Sequence, residues 1–132
     1  MNKIQDTVSY LACPYAHDDV AVKKFRHALV NHYTNEFLKL GKFIYSPLTH
    51  NIPLHDPSVT QTWEIWQRFD TAMLSRCNEL IVLQAEGWER SVGVSGEIEF
   101  AKSIELPIIF LEPDADVVAT IATQSGLVTA PV

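Results

Sequence analysis

Glu79-Leu80-Ile81-Val82-Leu83-Gln84 runs into a loop from Gln84 to Gly93, and that loop runs into Val94-Ser95-Gly96-Glu97-Ile98-Glu99-Phe100-Ala101-Lys102-Ser103-Ile104. Leu80 to Leu83 is an unbroken apolar run, the pattern of a strand covered on both faces. The stretch from Val94 is helical. At about 100° per residue, Val94, Ile98, Ala101 and Ile104 share one side and Ser95, Glu99, Lys102 and Ser103 the other. A buried strand feeding a helix is the start of a βαβ unit, which implies a parallel sheet. One residue breaks the pattern: Glu97 lies on the apolar side, where a bare carboxylate costs several kcal/mol unless it is paired or put to use. The plainer alternative is that Glu97 occupies the first turn of the helix, where a negative charge is favoured by roughly 0.3–1 kcal/mol.

Upstream, Thr7-Val8-Ser9-Tyr10-Leu11-Ala12 reads as a buried strand closed by Pro14. From about Asp19 to Leu40, Val22, Phe25, Leu29, Tyr33, Phe37 and Leu40 recur at helical spacing, with Asp18 or Asp19 as cap and Gly41 as stop. Lys42 to Ser46 is a short second strand ended by Pro47, and Leu48 to Thr62, with Pro53 and Pro57, reads as a long loop. Thr62 to Cys77 is helical again, with a stripe of Trp63, Trp66, Phe69, Met73 and Cys77 that contains Asp70. Downstream, Leu106 to Leu111 is a fourth strand, Asp114 to about Ala122 a short helix, and Gly126 to Val132 a weakly apolar end.

This alternation predicts a single α/β domain over residues 1–132, a Rossmann-like or flavodoxin-like doubly wound parallel sheet of four to five strands. Ligands of such sheets bind in the crevice at the carboxyl ends of the strands. Those ends are Cys13 to Asp19, Ser46 to His55 and Gln84 to Glu97. Ser46 and His50 are thereby candidates for substrate contact.

Composition narrows the function. The chain has 132 residues, 47% hydrophobic and 20% charged, with a net charge of −6, which argues against a nucleic-acid surface and leaves small-molecule partners. No apolar stretch spans a membrane or serves as a signal peptide, and Cys13 and Cys77 make neither a CxxC pair nor a disulfide framework, so a reduced cytoplasm fits. His17, His27, His32, His50 and His55 lack the spacing of a metal site, and neither GxGxxG nor a Walker A sequence occurs. The expectation is therefore no metal and no cofactor. Cys13 is not a phosphatase nucleophile, because the position that needs an arginine holds Asp19.

The chemistry rests on acids. Asp70 and Glu97, each on an otherwise apolar helix face beside the crevice, are a pair of carboxyl groups able to divide the roles of nucleophile and proton donor. The competing reading of Asp70 is a buried acid that caps backbone amides. Ser91 and Gly93, ahead of the helix, offer a hydroxyl and free N–H groups suited to phosphate, though Ser and Gly there are also plain caps. Among the aromatic residues Tyr15 and Trp88, on loops, are stronger candidates for stacking on a base than Trp63 and Trp66, because tryptophans at helical spacing are more often core.

Tyr10-Leu11-Ala12-Cys13-Pro14-Tyr15, Asp70 followed by Met73-Leu74, and Ser91-x-Gly93-x-x-x-Glu97-Ile98-Glu99-Phe100-Ala101 occur in order. With these blocks the chain resembles the nucleoside 2-deoxyribosyltransferase superfamily over nearly its whole length. It is most similar to a small bacterial and phage branch, and next to the 2'-deoxynucleoside 5'-monophosphate N-glycosidases. The resemblance implies a flavodoxin-like fold, a homo-oligomer (dimer or tetramer) with a shared active site, and retaining N-glycosidic cleavage without metal. Glu97 would form the glycosyl-enzyme, Asp70 would protonate the base, and Tyr10 or Tyr15 would line the sugar or base pocket. At Ser91 the transferases usually carry an aspartate for the 5'-hydroxyl, whereas the nucleotide hydrolases carry serine and bind a 5'-phosphate. The function so implied is cleavage of a deoxynucleoside or its 5'-monophosphate, with hydrolysis favoured over transfer. A non-catalytic nucleotide or nucleotide-sugar binding module is the alternative. The chain departs from the pattern at Glu99, where the enzymes more often have glycine, and in the 48–62 loop.

Overall fold

A computed structural model describes residues 6–54 and 63–127. In chain order these form β1 (Val8–Ala12), α1 (Val20–Lys39), β2 (Phe43–Tyr45), α2 (Pro47–Asn51), α3 (Trp63–Leu74), β3 (Glu79–Leu83), a 3-10 turn (Trp88–Arg90), α4 (Val92–Ser103), β4 (Ile108–Leu111) and α5 (Ala115–Gln124). The sheet has the order β2-β1-β3-β4 and every pairing is parallel. This is the doubly wound, flavodoxin-like arrangement expected from the alternation of strands and helices.

Alternate strand residues feed two cores. Leu11, Ile81 and Leu83 pack with Phe25, Leu29 and Val30 of α1 and with Ile121 and Ala122 of α5. Tyr10, Ala12, Leu80 and Val82 face the other way, against Leu74 of α3 and Val94 and Ala101 of α4. With α1 and α5 on one face and α3 and α4 on the other, β1 and β3 are covered on both sides. That is why Leu80 to Leu83 shows no polar alternation. The switch in winding direction falls between β1 and β3, and the crevice opens there.

Helix ends follow the expected chemistry. The Asp19 carboxylate accepts the Ala21 N–H at 2.8 Å at the start of α1. Gly41, with φ +79°, carries the chain out of it in a conformation that favours glycine.

Several element ends differ from the sequence reading by one to three residues, as where α3 stops at Leu74 and β4 starts at Ile108, and two differences reshape the site. The proposed loop from Leu48 begins instead as α2, because Ser46 is its N-cap and Pro47 opens its first turn, the favoured order of these residues at a helix start. His55 and the rest of that loop to Thr62 lie outside the described residues, as does the chain from Val128 to Val132. Second, α4 begins at Val92: the Ser91 hydroxyl oxygen caps it by accepting the Val94 N–H at 3.2 Å, so Gly93 stands inside the first turn, not ahead of the helix. Among the described residues no helix is long and apolar enough to cross a membrane.

Candidate active site

The crevice floor is built by the two loops that leave β1 and β3, and a buried arginine ties them together. Arg26, on the inner face of α1, donates Nη1–H to the carbonyl oxygens of Ala16 at 3.0 Å and Tyr15 at 3.4 Å, and Nη2–H to that of Glu86 at 2.9 Å. These carbonyls replace water around a guanidinium that no acid neutralises among the described residues. Gly87 makes room for it. Its φ is +88°, and a Cβ there would stand 2.7 Å from Arg26 Nη2. Cys13 lies directly beyond β1, where burial pushes its thiol up to about 12 although the nearby Arg26 charge pulls it down. It is therefore a neutral wall residue at physiological pH.

A cavity of about 640 Å³ opens above this floor, lined by the β1 and β3 loops, α2, α3 and the start of α4. A second hollow of about 450 Å³ adjoins it on the α3–α4 side. Asp70 from α3 and Glu97 from α4 line both, with Ser91, Gly93 and Arg90. The volume suits a small organic molecule.

Burial disfavours the charged form of both acids. Burial pushes Glu97 up to about 8, and the charge of Asp70 adds to the effect, while the Tyr10 phenol opposes it by favouring the carboxylate. Asp70 is also raised by burial, partly offset by a hydrogen bond from Asn51 and by the proximity of His50. Neither is ion-paired among the described residues. Tyr10 is wholly buried behind them. Its hydroxyl is within electrostatic reach of Glu97 and Asp70, and burial together with those charges raises its pKa, yet it makes no hydrogen bond of full geometry. It forms the wall behind the acids and is not among the side chains that line the cavity.

Other residues singled out from the sequence divide. Tyr15 lines the cavity, with the Lys23 ammonium 5.9 Å from its ring centre. Ser91 and Gly93 line it too, and the capping role of Ser91 leaves its hydroxyl hydrogen free to donate. Trp88 does not face the cavity. Its ring packs 5.6 Å from that of Phe110 against the α3–α4 core, while Trp63 and Trp66 are the tryptophans that line it. Among the tryptophans the expected order is thus reversed, because α3 turns Trp63 and Trp66 toward the crevice and its C-terminal end into the core, while Tyr15 stands at the cavity as expected. Ser46 is buried as the cap of α2, bonded to Thr49, and His50 is turned onto Phe69; neither lines the cavity.

Sequence reasoning missed Arg26 and Asn51. Arg26 stands on the same helical stripe as Leu29 and Val30, which is the available signal. Asn51 became visible only with α2: its Nδ2–H donates to Asp70 Oδ1 at 2.9 Å. Among the described residues no three His, Cys, Asp or Glu side chains converge as a metal-binding set.

No curated protein matches the chain. The family model of a domain of unknown function, DUF1937, matches residues 7–112. That span runs from β1 through β4 and takes in every cavity-lining residue named above. The chain belongs to the DUF1937 family.

Proposed function

We propose that this protein cleaves the N-glycosidic bond of a nucleoside or deoxynucleoside, or of its 5'-monophosphate, with water favoured over a second base as acceptor. The observation that carries the reading is the pair of burial-raised carboxyl groups, neither in an ion pair among the described residues, on one cavity at the switch point of the sheet. In the proposed reaction the Glu97 carboxylate attacks the anomeric carbon, and the C1'–N bond breaks with its electron pair passing to the base. Asp70 protonates the departing nitrogen. Water then attacks the glycosyl ester and gives its proton to Asp70, which restores the acid and frees Glu97, with net retention at the anomeric carbon.

The Ser91 hydroxyl, the first turn of α4 and Arg90 stand where a 5'-phosphate is best received, because unpaired N–H groups and the helix dipole favour an anion there. Trp63, Trp66 and Tyr15 supply aromatic surface for the base. On this reading the protein works in the cytoplasm as a homo-oligomer, a dimer or tetramer, without cofactor. Free thiols at Cys13 and Cys77 and the exposed Trp63 and Phe69 of α3 agree with that setting.

The test is base release from a panel of nucleosides, deoxynucleosides and their 5'-monophosphates by wild type and Glu97→Ala, with and without an added free base. Release by wild type alone supports the enzyme, and the added-base lanes separate hydrolysis from transfer. Silence of the wild type across the panel, with thermal stabilisation by a ligand that stays intact, would replace this reading by a binding module.

A further inference from the structure

Between β2 and α3 the short helix α2 does more than join elements. Its start is fixed by the Ser46 cap and Pro47, and Thr49 hydrogen-bonds through its hydroxyl to Asn31 of α1. Its end grips α3 at adjacent residues. The His50 ring stacks on Phe69, with centroids 5.2 Å apart and planes 9° from parallel, and Asn51 Nδ2–H donates to Asp70 Oδ1 at 2.9 Å. His50 Nδ1 lies 2.7 Å from Asn51 Oδ1.

The donor and acceptor capacities of these groups fix the direction of the chain. With Nδ2 of Asn51 turned to Asp70, its Oδ1 faces His50 and can only accept, so His50 Nδ1 carries hydrogen. Asp70 Oδ1 in turn accepts, so a proton on this carboxyl group resides on Oδ2. Were Asn51 free to rotate its amide by a half turn, Oδ1 would face Asp70 and pull the carboxyl proton toward itself. With its hydrogen on Nδ1, His50 opposes that rotation, because the turned amide would set an N–H against an N–H.

We propose that Asn51, locked by His50, is a positioning residue that keeps the transferable proton of Asp70 on Oδ2. The proposal rests on the glycosidase reading for its catalytic consequence, while the hydrogen-bond relay is a property of the folded protein alone. Asp70 is faced by His50 and Asn51 from α2, Glu97 from α4, Tyr10 from β1, Tyr45 from β2, and Arg90 across the cavity, so its titration must be followed directly.

The experiment follows the Asp70 carboxyl by ¹³C NMR against pH in protein labelled at aspartate, with Asp70→Asn to assign the signal. It compares wild type with Asn51→Leu, His50→Phe and His50→Asn, and measures kcat and KM for each on whichever substrate wild type cleaves. Asn51→Leu is expected to move the Asp70 midpoint upward, because the hydrogen bond favouring its charged form is gone. It should lower kcat by about 10- to 100-fold with KM nearly unchanged, the size expected for losing one hydrogen bond to a charged group. His50→Phe keeps an aromatic ring against Phe69 but loses the donor, and should move both readings the same way. His50→Asn, which returns an N–H near the Nδ1 position, should recover most of the kcat. Should Asn51→Leu fail to fold, Asn51→Ser, too short to reach Asp70, gives the same readings.

An Asp70 midpoint unmoved by loss of Asn51, or equal kcat in His50→Phe and His50→Asn, overturns the proposal. A wild type silent on every substrate overturns the glycosidase reading instead, and the NMR midpoints alone then decide whether the relay exists.

Discussion

Two glutamates at opposite ends of the same sheet have opposite fates. At its amino end, Glu79 opens β3 and accepts from Ser9 Oγ at 2.5 Å and from Lys42 Nζ at 2.9 Å, and these partners hold its carboxyl below the usual range. At the carboxyl end, Glu97 has no cation against it among the described residues, and burial holds its carboxyl far above that range. The first acid is satisfied by its fold. The second is kept dissatisfied, a condition that lowers stability and that clusters at functional sites.

The comparison breaks most sharply on activity. Glu97→Ala should lower base release by at least ~10³-fold, the scale of losing a nucleophile that acts as a unit with its acid partner, whereas Glu79→Gln should leave kcat within about twofold. Steady-state kinetics on the best substrate of the panel measures both. Asp70→Asn comes next, with roughly 10²-fold slower release that is least for bases that leave readily, because a good leaving group needs little protonation. Equal slowing across bases would remove Asp70 from the proton-donor role.

The pH profile sharpens the contrast. Attack requires the Glu97 carboxylate and departure of the base requires a proton on Asp70, so the Glu97 limb stands alone in Asp70→Asn with a base that leaves readily: there kcat/KM should rise with pH through about 8. A profile of that variant that instead falls through the same region would make Glu97 the proton donor and exchange its role with Asp70.

Stability should respond with opposite signs. Glu97 has a folded pKa above its unfolded one, so between the unfolded value and about 8 the folded state holds the extra proton, and stability falls as pH rises through that window. Glu79 is depressed, so its contribution is present above the unfolded pKa and disappears as pH falls through the folded one. Thermal melts from pH 5 to pH 9 should therefore decline in wild type and flatten in Glu97→Gln, with the variant the more stable at the alkaline end. The smallest effect is that of Glu79→Gln at neutral pH, about 1 kcal/mol or less because Lys42 is partly in water and the pair is screened, which corresponds to roughly 3–5 °C in Tm.

Much of this architecture was legible before the structure. The Leu80–Val82 run, the spacing of Phe25, Leu29 and Tyr33, and Glu97 on an apolar face are local patterns, and local patterns are what a sequence displays. What was hidden depended on partners distant in the chain. Nothing near Trp88 announces that Phe110 of β4 will receive its ring, and nothing near Arg26 announces carbonyls from Tyr15, Ala16 and Glu86. Asn51 was obscured differently: Pro47 read as the end of β2, when the Ser46-Pro47 order also opens a helix, and without α2 there was no frame to place Asn51 beside Asp70. Whether Glu97 attacks a sugar is a matter for the kinetic tests. That it is a buried acid facing a cavity was the part its position could announce.

Arg26 has a consequence for how the crevice can change over generations. It grips its two loops by main-chain oxygens, which every residue possesses, and Gly87 is the position whose side-chain space it also claims. Tyr15, Ala16 and Glu86 can therefore be exchanged for other residues without releasing the clamp. Loop shape and loop chemistry are inherited separately here. A descendant of this chain could acquire a new preference at Tyr15 while keeping the floor on which its acids stand.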